Sequence, residues 1–487
     1  MKTPNGNILR GLAATVALGL ATPSVTAQDR PVALTNARIL TQVLDDEGNP
    51  KVIENGTILL RGGEIDDVGE NLFLPPGTHK IDLNGGSVMP GLVHAWSNAG
   101  LSQGQGGGRT VTIGGRGRRP RIRQGGGGRT GNAAAETLDG KIYARQDIFS
   151  DLLETGVTTL VVHPPGRGFP GYAAHIDLTG EDESRFLIDD EVFVTIVPGT
   201  DKSSRDLLKT SFTNASKLVE KRNKPKPEPK PEPETPAEGE GETPAEGEGE
   251  KPAEGEGGEG EKPPVEEPKP EPKPEEKPQE NPRRGGRGGN GGQRPDNPNT
   301  VVLADLLEGK KKGFLNLSTA SDMLHMKMAL GDLEVSYPCV LVADRLNERA
   351  GSLMAVIEDI KALEPTVLIQ PRLTAVPFTQ TVQNPARALH ENGVTIGFVI
   401  GDSPNAVRNL WFQLMELVRY GLPAEVALAG VTRVPAQALG VDGEVGTIET
   451  GKRANLLVFT GDPLDPTSRL AHVFHQGRQV GHSEEDN

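Results

Sequence analysis

Three side chains alternate along VMPGLVHAWSNAG, residues 88–100: His94, Trp96 and Asn98. Residues i, i+2 and i+4 of an extended segment share one face, so the three are expected to stand together at a strand end. An imidazole so placed is a natural ligand for a divalent cation. Trp96 has no electron pair to offer zinc, and Asn98 brings only a neutral amide oxygen, a poor match to a metal that prefers imidazole, thiolate or carboxylate. Trp96 therefore reads as a plug that fills space rather than as a platform for stacking a substrate. His163 ends another apolar run, in VVHPPG. Histidines without close His-x-His spacing are more often hydrogen-bonded fillers than ligands. His175 and His325 have no ligand neighbours and read as structural. Cys339, the single cysteine, sits in PCVLV as a buried strand residue and not as a nucleophile.

The elements that must hold these residues alternate apolar runs with helical stretches. Candidate strands are residues 157–163, 192–197, 314–317, 340–343, 367–370 and 394–400, and helix-like pieces are 148–154, 353–363, 387–392 and 406–420. Such alternation is what a parallel βα barrel requires, with its site at the strand ends. Gly156 and Gly393, in ETGVTTL and ENGVTIG, each stand where a helix must end in a left-handed residue before the next strand. Both chain ends are β-rich instead. Residues 31–83 read as short strands with turns at Gly62-Gly63 and Asn84-Gly85. Residues 445–480 answer in kind. The fold class expected is thus α/β: a (β/α)8 barrel over residues 87–444, with a small β-sandwich built from 31–86 and 445–480.

Two segments do not fit the barrel. Residues 103–132 hold seven arginines and no acid among many glycines, and residues 224–299 run through the near-repeats TPAEGEGE, TPAEGEGE and KPAEGEGG before ending in RRGGRGGNGG. Neither carries enough apolar surface to offset the entropy of ordering, so both are expected to be disordered inserts. Residues 224–280 contain 19 acidic residues against 8 lysines, a local charge of −11 out of the chain's −15. The rest is close to neutral, which gives no nucleic-acid footprint. Residues 1–27 have a basic start, a short apolar run and the small-residue ending VTA before Gln28, as a secretory signal peptide does. An uncleaved interfacial anchor is the other reading of those residues. Export to the periplasm or the exterior follows from the first, and no stable membrane span is expected elsewhere.

The chain resembles the amidohydrolase superfamily, and the resemblance covers most of it outside the two inserts. Gly86 to Gly91 matches the Gly-x-x-x-Pro-Gly that ends the family's first sandwich half, and LLETGVTTLVV with GYAAHIDLTG looks like the second barrel strand of members related to imidazolonepropionases. The closing run from Arg419 to Phe459 is similar to the family's pattern almost throughout, with Asn455 in the usual Asp position. By the resemblance, His94, Trp96 and Asn98 stand in the family's Asp-x-His-x-His run, Asn316 stands where a fifth-strand histidine would be, and Asp344 follows the sixth strand where no histidine is found. Asp402 stands where the family's last-strand Asp binds metal and serves as general base. The resemblance implies a reaction, hydrolysis of C–N bonds in cyclic or other non-peptide amides. It also implies zinc or another divalent ion, which lowers the pKa of water from about 16 toward 7.

With only Asp402 retained, no metal is expected here, and the simplest expectation is a pseudoenzyme. It would be a non-catalytic member that binds a small molecule, pairs with an active relative, or forms a homo-oligomer. A hydrolase with a site rebuilt from His94, His163 and Asp402 is the alternative. A third reading is a surface interaction protein acting through the acidic insert.

Overall fold

The computed structural model describes residues 30–101, 130–143, 146–179, 186–224, 296–331, 339–343, 353–363, 365–376 and 378–481, with the short pieces 110–111 and 122–123. The signal segment 1–27, most of the Gly/Arg-rich insert and residues 225–295 lie outside these. Residues 224–295 form a unit of their own by contact, and all that follows concerns the other unit.

The chain opens with β1 (Val32–Leu44), β2 (Pro50–Arg61), β3 (Glu64–Gly69), β4 (His79–Asp82) and β5 (Ser87–Pro90). β1 and β2 pair antiparallel around a turn in which Asp45 accepts backbone N–H bonds from Glu47 and Asn49. Gly62-Gly63 joins β2 to β3, as its two-residue spacing between β-rich runs requires.

β6 (Leu92–Ser97) then enters a second sheet. The small pair β7 (Thr110–Val111) and β8 (Ile122–Arg123) and the strand β9 (Thr130–Asn132) fall inside the stretch read from composition as disordered. That boundary is corrected: Thr130 to Asn132 pair in parallel with residues 167–169, because backbone pairing does not need apolar side chains.

α1 (Asp147–Glu154) leads to β10 (Val157–Val162), followed by β11 (Arg167–Ile176) and β12 (Leu187–Val197). Next come α2 (Lys202–Asn223), α3 (Pro298–Leu307), β13 (Gly313–Asn316), α4 (Ala320–Leu330), β14 (Cys339–Ala343), α5 (Ile357–Ala362) and β15 (Thr366–Ile369). α3 starts inside the second expected insert, capped by Asn297. Asn299 there donates to the Asn132 carbonyl and accepts from Ala135 N–H, so the far borders of the two inserts are tied together.

A hairpin of β16 (Thr374–Ala375) and β17 (Val382–Gln383) precedes α6 (Pro385–Glu391), β18 (Ile396–Phe398) and α7 (Pro404–Arg419). α8 (Ala424–Ala429) and α9 (Arg433–Leu439) follow, and the chain closes with β19 (Leu456–Phe459), β20 (Leu470–His475) and β21 (Arg478–Val480). Gly156 and Gly393 have φ of 104° and 77°, the left-handed conformation that their place after a helix demands.

The two chain ends share one eight-stranded sheet, ordered β21-β20-β19-β5-β1-β2-β3 with β4 on β1. β5 is the seam, pairing in parallel with β1 and antiparallel with β19. Its core mixes both ends, with Leu34, Ile39 and Ile58 against Leu456, Val458 and Phe474.

The second sheet curls through β18-β15-β14-β13-β12-β11-β10-β6 as a TIM-type barrel. β6 and β10 are buried along their whole length, as strands covered on both faces must be. Seven of these strands run parallel; β11 alone is antiparallel to both neighbours. The short His163-to-Gly166 link explains it, since a parallel crossover needs about a dozen residues or more. Among the described residues β18 and β6 do not form a ladder with each other. The Gly430 and Val431 carbonyls instead accept from Phe398 and Val93 N–H groups, so the connection between α8 and α9 bridges the barrel's two end strands.

Inside the barrel, Val93, Ala95, Val161, Phe193, Phe314, Val340 and Leu368 meet Ala436 and Leu439 of α9. No helix among the described residues is long and apolar enough to cross a membrane.

Candidate functional site

The site forms where β6, β10 and β18 end, and it rests on an irregularity in β6. His94 pairs with Leu160 and Ser97 with Val162, so three steps along β6 match two along β10. That extra residue is a bulge, and it re-aims everything after it. The simple alternation that puts His94, Trp96 and Asn98 on one face is therefore corrected. Ala95 and Trp96 both enter the barrel core, and it is Ser97 that joins His94.

Asp402 sits at the far end of the barrel in sequence, just before Ser403, whose side chain caps α7 by accepting from Ala406 N–H. Its Oδ1 accepts from His94 Nε2 at 2.9 Å and from Ser97 Oγ at 2.5 Å, and its Oδ2 accepts from Asn98 N–H at 3.0 Å. His94 and Ser97 are wholly buried, while 39% of the Asp402 side chain still meets solvent. Partial burial pushes the Asp402 pKa up. The hydrogen bond and charge of His94, with the Ser97 and Asn98 bonds, outweigh this and hold it at about 2. These contacts fasten β6 to the loop after β18, across the side of the barrel that no ladder closes.

Serine, histidine and aspartate are all present, but in the wrong order for nucleophilic catalysis. In a triad the imidazole faces the hydroxyl and the carboxylate lies behind it. Here the carboxylate lies between them, and Ser97 Oγ donates a hydrogen bond to Asp402 while accepting one from Ala99 N–H.

His163 is the second centre. Trp96 stacks on its ring, with centroids 3.6 Å apart and planes 18° from parallel. Its Nδ1 lies 3.2 Å from the Pro164 carbonyl, and its Nε2 lies 2.9 Å from the Asn98 amide nitrogen. An Nδ1–H donor and an Nε2 acceptor satisfy both contacts, so the ring is neutral. Burial lowers its pKa to about 4, against a weaker upward pull from the Pro164 bond and from Asp402. The Asn98 amide also donates to the His163 carbonyl. On the other side of Trp96, Phe193 and Phe314 lie nearly parallel to the indole and stack on each other at 3.5 Å.

The structure thus brings His94, Trp96, Asn98, His163 and Asp402 together. Asn316 ends β13, partly buried, with an Oδ1 that has no hydrogen-bond partner. Asp344 lies outside the described residues. Ser97 is the residue that sequence reasoning missed; the alternation rule points it to the wrong face, and only the register with β10 reveals its place. His175 is buried in β11 with its pKa lowered by burial to about 4, and His325 on α4 lies 3.3 Å from an Arg205 nitrogen. Among the described residues no three His, Cys, Asp or Glu side chains are gathered as a metal would need.

Residues 335–480 match the model of the Amidohydrolase family. Imidazolonepropionase of Rhizobium meliloti (strain 1021) is 41% identical over 81 residues, 16% of this chain and 20% of that protein. The imidazolonepropionase of Bdellovibrio bacteriovorus is 35% identical over 131 residues, 25% of this chain and 30% of that protein. Residues 335–480 of the chain thus carry the amidohydrolase superfamily's sequence pattern. The alignments span less than a third of the length of these two relatives. The whole fold has a counterpart in the crystal structure of an amidohydrolase from Thermotoga maritima MSB8, with a TM-score of 0.61 at 18% identity over 92% of this chain and 99% of that one. The family match includes Asp402 and the closing sandwich strands, and it begins well after the β6 bulge.

Proposed function

We propose that this amidohydrolase-superfamily protein is an exported, non-catalytic member that works as a binding or scaffold protein. One observation carries the reading: the carboxylate at the family's last-strand position already accepts hydrogen bonds from His94, Ser97 and the Asn98 backbone. The donor set does not fit the family's divalent metal, because a catalytic zinc takes about three protein ligands. His94 Nε2 is engaged by Asp402 and the two nitrogens of His163 by Pro164 and Asn98, which leaves the buried His94 Nδ1 as the one ring nitrogen of the cluster without a hydrogen-bond partner. Trp96 fills the place between His163 and the aromatic pair below. Asp402 is then a clasp that holds the open side of the barrel rather than a base. The signal-like first 27 residues support export.

The rival reading, a hydrolase with an atypical site, has one feature in its favour. Asp402 is ionised at neutral pH and partly open to solvent.

The deciding experiment is metal analysis of the full chain after equilibration with zinc, manganese and iron, together with assays on cyclic amides, lactams and dipeptides. No stoichiometric metal and no turnover is the expected result. One metal per chain, lost along with activity in Asp402→Ala, would establish the rival. Trp96→His with Asn98→His should raise metal uptake, since it replaces the plug and the amide with imidazoles.

A further inference from the structure

α7 buries Val407, Leu410, Leu414 and Leu417, a stripe at helical spacing, against the barrel. Its outward face carries Arg408, Phe412 and Glu416, one turn apart. Phe412 is 58% exposed at the middle of this sixteen-residue helix. Beside the helix runs the β16–β17 hairpin, and between them lies a groove of about 420 Å³ lined by Thr374, Val382, Phe412, Glu416 and Tyr420 among others. An adjoining hollow of about 300 Å³ shares Thr374, Val382 and Tyr420 and reaches Met354. The hairpin turn holds Phe378, fully exposed, at φ 62°, a conformation that bulky residues rarely adopt. Five of the thirteen exposed large apolar side chains among the described residues, Met354, Phe378, Val382, Phe412 and Tyr420, belong to this groove or its hairpin. Clustering of that kind marks an interaction surface, whereas the others are scattered singly or lie elsewhere.

The order of charge along α7 says what covers it. We propose that this face receives a second copy of the chain, with the two α7 helices packed antiparallel about a two-fold axis at Phe412. Such an axis carries residue 412 − n of one copy onto residue 412 + n of the other, as an isologous interface requires. Arg408, four residues before Phe412, then meets Glu416, four residues after it, and the pair forms twice. Four residues are about 6 Å along a helix. Packing of the 408, 412 and 416 ridge into its mate crosses the helices at roughly 50°, which keeps the two charges within reach of a long arginine side chain. Farther out, Arg419 maps onto Asn405, so no like charges meet along the helix. Among the described residues neither Arg408 nor Glu416 has an ion pair, and Arg408 donates to Asn405 Oδ1 at 3.3 Å. Nearby Arg387 and Glu391 are already paired with each other. This proposal does not depend on whether the barrel is catalytic.

Sedimentation equilibrium on the full chain across the micromolar range tests it. The wild type should be a dimer. Phe412→Glu should be monomeric with an unchanged circular dichroism spectrum. Arg408→Glu and Glu416→Arg should each weaken the dimer at least about tenfold, or about 1.4 kcal/mol. The combined swap, Arg408→Glu with Glu416→Arg, should return it to within a few-fold of wild type, because the pairing is restored with its sign reversed. A wild type that stays monomeric, whether the groove is bare or takes a small ligand or another protein, would overturn the proposal. So would a dimer that survives Phe412→Glu, or a double swap no better than the single changes.

Discussion

The barrel corner at β6 and the outer face of α7 lie on either side of Ser403 in the chain, yet they treat their polar groups in opposite ways. At the corner Asp402 accepts hydrogen bonds from His94, Ser97 and the Asn98 backbone, and Trp96 stacks on His163, which leaves the buried His94 Nδ1 without a partner. On α7, Arg408 and Glu416 flank an exposed phenylalanine and form no ion pair among the described residues. The polar groups of the corner are bonded across the barrel's open side, while those of α7 face outward.

The largest expected effect is at the plug. Trp96→Ala removes a nearly buried indole from between His163 and the Phe193–Phe314 pair. It should cost about 3–5 kcal/mol in chemical denaturation, as large aromatic truncations in cores do. A variant as stable as wild type would mean that the corner is not packed, and the contrast with α7 would collapse. Asp402→Ala comes next. It leaves the buried His94 N–H and Ser97 O–H without acceptors, at a cost of about 2–3 kcal/mol. A neutral outcome would instead return Asp402 to the status of a free carboxylate awaiting a ligand.

The pH dependence sharpens the same point. His163 and His175 have folded pKa values lowered to about 4 by burial, so between about pH 6.5 and 4 the unfolded chain binds more protons than the folded one. Stability should therefore fall as pH drops through that window, by up to about 1.4 kcal/mol per pH unit for each histidine. His163→Gln should remove about half of that slope, read from denaturation midpoints at a series of pH values. An unchanged slope would mean that His163 is not held neutral. Below that window Asp402, whose folded pKa is depressed to about 2, should add a further loss as pH falls from about 4 toward 2.

The smallest effect expected is from Ser403→Ala, which removes the α7 cap next to Asp402 and should cost about 1 kcal/mol. If it costs as much as Asp402→Ala, the loss at Asp402 reports a frayed helix start and not the clasp.

Much of this architecture was legible in the order of the residues. The turns at Gly62-Gly63 and after Gly156 and Gly393, the apolar runs of the barrel strands and the amphipathic stripe of α7 all follow from interactions over a few residues. They could therefore be read without knowing the fold. The meeting of the two β-rich ends in one sheet was legible for a different reason, because each end has one apolar face that it cannot bury alone.

The site was legible only in its membership. His94, Trp96, Asn98, His163 and Asp402 could be named in advance, but not how they engage. The antiparallel β11 and the ordered borders of the inserts depend on backbone pairing, which leaves a weak mark on side-chain type. The bulge in β6 depends on register with β10, some 65 residues onward, and it decides that Ser97 rather than Trp96 stands beside His94. The clasp joins residues 308 apart in the chain. A sequence determines which donors and acceptors a protein owns; which of them consume each other is decided only when distant strands are brought within a hydrogen bond's length, because that energy does not exist at any larger separation.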